Sequence, residues 1–137
     1  MIEKIIVNIG LESDIVTARQ QGKKLAKHLD FSSSELTTIA TAISELARNI
    51  VDYAGGGEII LKLIQQNGKQ GIAIVARDNG PGIKDLELAM QDGYSTGKGL
   101  GLGLPGTKRL MDDFEIFSEI GKGTTIIVKK WRKQNAC

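Results

Sequence analysis

From Leu36 to Ala54 apolar residues recur at helical spacing, as Leu36, Ile39, Ala40, Ile43, Ala47, Ile50 and Ala54, and three consecutive glycines at 55–57 stop the pattern. A helix with such a stripe has to lay it against another layer of structure. Ser32-Ser33-Ser34-Glu35 opens the segment with the serine and glutamate of a capping box.

The flanking sequence supplies strands for that layer. Lys4 to Ile9 reads as a strand, and Ser13 or Asp14 then caps a helix carrying Ile15, Ala18, Leu25, Ala26 and Leu29. Beyond the glycines, Glu58 to Gln65 and Gly71 to Arg77 are rich in isoleucine, leucine and valine, and Asn67-Gly68-Lys69 between them predicts a hairpin. A short helix is expected around Leu86 to Met90 and another from about Leu104 to Met111. Phe114 to Ile120 and Thr124 to Val128, joined by Gly121-Lys122-Gly123, read as a closing hairpin. The order predicts an α/β two-layer sandwich, a mixed β-sheet with helices on one face, and one domain over residues 1–137.

Composition narrows the function classes. A net charge of +2 with lysines and arginines spread along the chain offers no basic stripe for nucleic acid. The apolar stretches fall short of the roughly 20 residues that span a bilayer, and Met1-Ile2-Glu3-Lys4 lacks a signal-peptide core. No membrane association and a cytoplasmic location are the expectation. Cys137 is the only cysteine, so no internal disulfide can form. His28 has no second ligand-type residue nearby and reads as a surface or structural histidine.

Three segments carry candidate chemistry. Glu45 and Asn49 are four apart and share a helix face, which points away from the Leu36, Ile43 and Ile50 stripe; a solvated surface and a site both account for it. Asp78-Asn79-Gly80-Pro81-Gly82 leaves an apolar strand. A surface turn would explain these residues. A binding site would explain them too, with the carboxylate accepting from an exocyclic amine and the glycines admitting a flat ring. The third segment runs from Gly93 to Gly106, with leucines alternating between glycines and Pro105 suited to the first turn of a helix. Backbone N–H groups at that helix start, including the one at Leu104, favour a phosphate. The alternating leucines are too apolar for a mere linker. The spacing is not that of a P-loop, since Gly99 follows Lys98 where Ser or Thr should stand. Gly101-x-Gly103-x-x-Gly106 does fit a dinucleotide fingerprint, but it follows a polar loop rather than a strand.

Taken in order, Glu45-x-x-x-Asn49, Asp78-x-Gly80-x-Gly82, Gly99-x-Gly101-x-Gly103 and Gly123-Thr124-Thr125 resemble the N, G1 and G2 boxes and closing threonine of the GHKL, or Bergerat-fold, ATPase superfamily. Within it, Thr41 to Ile50, Gly103 to Asp112 and Asp14 to Gln20 resemble the RsbT-type serine/threonine kinases of bacterial stressosomes. The resemblance implies a kinase that binds ATP and magnesium and phosphorylates STAS-domain scaffold proteins. It also implies that the released kinase activates a metal-dependent protein phosphatase.

By the same resemblance Glu45 would be the general base and Asn49 the magnesium ligand. Asp78 would bind the adenine amine, with Gly80 and Gly82 shaping the turn beside the ring, and Thr124 or Thr125 would complete the base pocket. Gly99, Gly101 and Gly103 would wrap the phosphates ahead of Leu104. Where related anti-sigma-factor kinases carry an arginine, this chain has Lys98, a point charge for the γ-phosphate without arginine's bidentate fork. An anti-sigma-factor-type kinase and a nucleotide-dependent binding module without catalysis are the alternatives. Retention of both Glu45 and Asn49 argues against the second, since a pure binder needs no base.

Overall fold

A computed structural model describes residues 4–83, 90 and 103–132. Strand β1 (Lys4–Ile9) leads into helix α1 (Glu12–Ala26), a 3-10 turn at Lys27–Leu29 and helix α2 (Ser33–Asn49). Strands β2 (Gly57–Gln66) and β3 (Lys69–Asp78) follow, then helix α3 (Gly103–Leu110), β4 (Asp113–Glu119) and β5 (Gly123–Trp131).

Local chemistry sets most of these boundaries. The Ser32 hydroxyl accepts from Glu35 N at 3.1 Å and Glu35 Oε1 accepts from Ser32 N at 2.9 Å, which closes the expected capping box of α2. At the other end the helix widens into a π turn at Ile50–Ala54 and stops at Gly55, which takes the left-handed conformation with φ of 79°. Helix α1 starts earlier than the expected Ser13 or Asp14 cap. Asp14 acts from inside the first turn, where its Oδ2 accepts from Leu11 N at 2.8 Å and Gly10 N at 2.9 Å. Those two N–H groups, Leu11 first, hold its carboxyl below the usual carboxylate range. Asn67 and Gly68 both have positive φ, as a tight two-residue hairpin turn requires, so β2 and β3 form the expected hairpin, with Gln66 opposite Lys69.

The strands form one sheet in the order β1-β2-β3-β5-β4. The expectation of a mixed sheet is corrected in one respect: all four pairings are antiparallel. The connection through α3 does bring β4 out running the same way as β3. Because β4 and β5 form a hairpin whose second strand inserts between them, β3 and β4 never bond to each other.

Helices α1, α2 and α3 lie on one face. Ile39, Ile43 and Leu46 of α2 meet Ile59, Leu61, Ile72, Ile74 and Val128 of the sheet in one apolar cluster. Each such side chain contributes roughly 1.5–3 kcal/mol by leaving water. Truncating Ile43, which is fully buried, would cost about 2–5 kcal/mol through the cavity left behind. Among the described residues no helix is long and apolar enough to cross a membrane. The short helix expected at 86–90 lies outside the described residues except for Met90, which sits in a turn and packs against the core.

Candidate active site

Register decides what surrounds Asp78. Gly57, Asp78, Thr124 and Ser118 form one cross-strand row over β2, β3, β5 and β4, at the end of the sheet where β3 stops. Asp78 has the same strand parity as Ile72, Ile74 and Ala76, so its side chain lies on the helix side. Gly57 on one flank lets the strands approach closely, since a Cβ there would stand 2.4 Å from Arg77 O and 3.0 Å from Asp78 Cβ.

The two oxygens of Asp78 are used differently. Oδ1 accepts from Gly80 N at 2.9 Å and from Thr124 N at 3.3 Å, which joins the turn to β5. Oδ2 makes no hydrogen bond among the described residues. The carboxylate is half-buried, so one oxygen fixes its orientation and the other remains an acceptor among the described residues.

The turn after Asp78 is held from both sides. Gly80 runs against the end of α2, where an added Cβ would stand 2.8 Å from the Ala54 backbone. Gly82 has φ of 80°, and a Cβ there would meet the Glu119 carbonyl oxygen at 2.4 Å. Only glycine lets the chain pass so close to both. Gly121 N donates to Pro81 O at 2.9 Å, tying the turn to the β4–β5 hairpin.

Ser118 was not legible as a site residue. Its hydroxyl lies 2.8 Å from Thr124 Oγ1, accepts from Ile83 N at 2.7 Å and lies 3.3 Å from Gly123 O. The one available signal was that Phe114, Ile116 and Ser118 alternate along β4, which puts a hydroxyl at an inward position of an amphipathic strand. Of the two candidate threonines, Thr124 is buried in this row. Thr125 falls on the opposite face of the sheet, between Arg77 and Phe117, because successive strand residues point to opposite faces.

Glu45 and Asn49 stand one turn apart on α2 and are half-buried, not fully solvated as the 100° count also allowed. Contacts of α2 with α1 on one flank and α3 on the other partly cover the edges of its apolar stripe. Neither side chain makes a hydrogen bond or ion pair among the described residues. Arg48 next to them pairs with Glu12 at 3.0 Å and links α1 to this part of α2. Gly103 and Leu104 begin α3, which packs on α2, and Leu104 is buried. Lys98, Gly99 and Gly101 lie outside the described residues.

The donor set suits a nucleotide and magnesium. Asp78 keeps an acceptor at the sheet end, and Asn49 carries an amide oxygen that is unbonded among the described residues, on the helix that abuts the same turn. Among the described residues no group of three or more His, Cys, Asp or Glu could hold a metal ion by itself. Magnesium does not need one, because it binds through one or two protein oxygens while keeping waters and phosphate oxygens.

Residues 35–134 match the histidine kinase-, DNA gyrase B- and HSP90-like ATPase family. Over 131 residues, 96% of this chain and 98% of the relative, the sequence is 51% identical to the serine/threonine-protein kinase RsbT of Bacillus subtilis (strain 168). It is 32% identical over 117 residues to the anti-sigma F factor of Clostridium kluyveri, with 82% of each chain covered. Among solved structures, the RsbU and RsbW domains of Rv1364c from Mycobacterium tuberculosis superpose with a TM-score of 0.64 at 18% identity, over 96% of this chain and 33% of that one. The mycobacterial sensor histidine kinase MprB gives 0.56 at 16% identity, over 96% and 99%. At such identities the two structures speak for the fold alone. With the fold, the boxes and the sequence likeness in agreement, the chain belongs to the histidine kinase-, DNA gyrase B- and HSP90-like ATPase family.

Proposed function

We propose that this serine/threonine-protein kinase binds Mg-ATP between α2, the Asp78–Gly82 turn and the start of α3, and phosphorylates STAS-domain scaffold proteins. Released from them, it would activate a metal-dependent protein phosphatase. The observation that carries the nucleotide site is the half-buried Asp78, with Oδ1 fixed by two backbone N–H groups and Oδ2 left as an acceptor. The 51% identity to RsbT over nearly the whole chain supports the kinase reading.

Asp78 Oδ2 would accept from the adenine amine, with Gly80 and Gly82 beside the ring and Thr124, steadied by Ser118, closing the pocket. Asn49 would hold the magnesium ion, and Gly99, Gly101, Gly103 and Leu104 would offer backbone N–H groups to the phosphates, with Lys98 as a counter-charge. When bound, Mg-ATP supplies the phosphoryl group and the metal's neutralising charge. Glu45 would orient the acceptor hydroxyl and take its proton, one helical turn from the metal ligand.

Incubation with labelled ATP and purified STAS-domain proteins tests the reading. Label is expected on a serine or threonine of the partner. A folded, ATP-binding protein that labels none of them would refute it. The 32% identity to anti-sigma F factors favours a second reading, an anti-sigma-factor-type kinase. Stable binding to a purified sigma factor would distinguish it.

A further inference from the structure

Among the described residues two polar side chains are buried, Thr124 in the row beside Asp78 and Thr107 in α3. The nucleotide reading uses the first and leaves the second without a task. Thr107 is fully buried in the first part of α3, where Leu104, Pro105 and Gly106 are buried with it. A valine would fill the same volume, and a buried hydroxyl is costly unless it is bonded. The Thr107 hydroxyl donates to Gly103 O at 2.9 Å and bonds to nothing else among the described residues. The helical pattern brings Thr107 N to the same oxygen, so this one carbonyl is held twice.

The carbonyl belongs to the peptide that joins Gly103 to Leu104. In a trans peptide the C=O and N–H point opposite ways, so a carbonyl drawn down the helix toward Thr107 aims the Leu104 N–H out of the helix start. The local sequence offers no side-chain substitute for that hold. Gly103 has φ of 68° and no side chain to restrict rotation of the peptide. Gly99-Leu100-Gly101-Leu102 ahead of it contains no Ser, Thr, Asp or Asn that could cap the helix. Pro105 has no N–H, so the Leu104 group carries more of the helix start. Thr37 makes the same bond to Ser33 O at the start of α2, but Thr37 is exposed and the Ser32–Glu35 box already fixes that first turn. Resting on the reading that α3 offers its first N–H groups to the phosphates, we infer that Thr107 is a positioning residue for the phosphate end of the nucleotide. It touches no ligand. Its hydroxyl latches the Gly103–Leu104 peptide so that the N–H is already aimed when the phosphates arrive, which removes an ordering cost from binding.

Thr107→Val and Thr107→Ser in the full chain separate the latch from packing. Valine keeps the volume and removes the donor, whereas serine keeps the donor and removes a buried methyl. Thr107→Val should lower ATP affinity about fivefold or more, as loss of an aimed donor to a charged group does. Its adenosine affinity should stay within about twofold of wild type, since adenosine has no phosphate to meet α3. Thr107→Ser should bind ATP within about twofold of wild type, although the nucleotide-free protein melts at a lower temperature. Titrations followed by NMR give both affinities and report on the Leu104 amide itself, which in the wild type should respond to ATP and not to adenosine. Unchanged ATP affinity in Thr107→Val would overturn the inference and leave the phosphate site standing. Equal losses for ATP and adenosine in both variants would also overturn it, because a residue that only packs damages both. A wild-type Leu104 amide that responds alike to adenosine and ATP would remove α3 from the phosphate site, and the inference with it.

Discussion

The Ser118 hydroxyl lies 2.8 Å from the Thr124 hydroxyl and also accepts from Ile83 N, so one side chain on β4 joins β5 to the turn after Asp78. Ser118→Ala leaves both partners without that bond. A stability loss of about 1–2 kcal/mol is expected from unfolding in urea. ATP affinity should fall with it, because Thr124 N is one of the two groups that fix Asp78. Unchanged affinity would detach Ser118 from the site.

Asp78→Asn should preserve the fold and lose most ATP binding. An amide oxygen can still accept from Gly80 N and Thr124 N, but its NH2 group would then occupy the place of Oδ2 and present a donor to the adenine amine. Thermal unfolding and nucleotide titration on the same sample separate the two effects. Wild-type affinity in a folded Asp78→Asn protein would mean that the base binds elsewhere.

Glu45 and Asn49 should fail in different ways. Glu45→Ala is expected to leave ATP affinity nearly unchanged while slowing phosphoryl transfer about 10²- to 10⁴-fold. Asn49→Ala should weaken Mg-ATP binding as well as turnover, since a metal ligand is lost. Damage to α2 itself would lower both measurements in both variants, so the contrast reports chemistry and not folding. Wild-type transfer by Glu45→Ala would leave Glu45 as a surface residue.

Asp14 gives stability an acid-sensitive component. Its folded-state pKa lies below the ordinary value through the Leu11 and Gly10 N–H groups, so the ionised form is the one that stabilises the start of α1. That contribution is fully present above the unfolded pKa and disappears as pH falls through the folded one. The stability difference between wild type and Asp14→Ala should therefore be largest near neutrality and narrow below the usual carboxylate range. A difference independent of pH would contradict the cap.

Helix α2 with its Ser32–Glu35 cap, the Asn67-Gly68 hairpin, the closing hairpin and the helix after residue 103 were all legible in the sequence, because each is encoded by neighbours. A 3.6- or two-residue period shows which side of an element is apolar, and caps and turn glycines show where it ends. The boxes at Glu45–Asn49 and Asp78–Gly82 were visible for the same reason, as short patterns within single elements. Long-range pairing was not. Whether Thr124 or Thr125 meets Asp78 depends on the register between β3 and β5, where a slip of one residue would exchange the two faces. Ser118 enters the site only because β5 inserts between β3 and β4 and brings the end of β4 beside Thr124. Local chemistry thus determined the elements and the reactive groups on them. Only the folded chain decided which of those groups face one another, because strand partners are chosen by burial of whole apolar faces and not by any pattern within one strand.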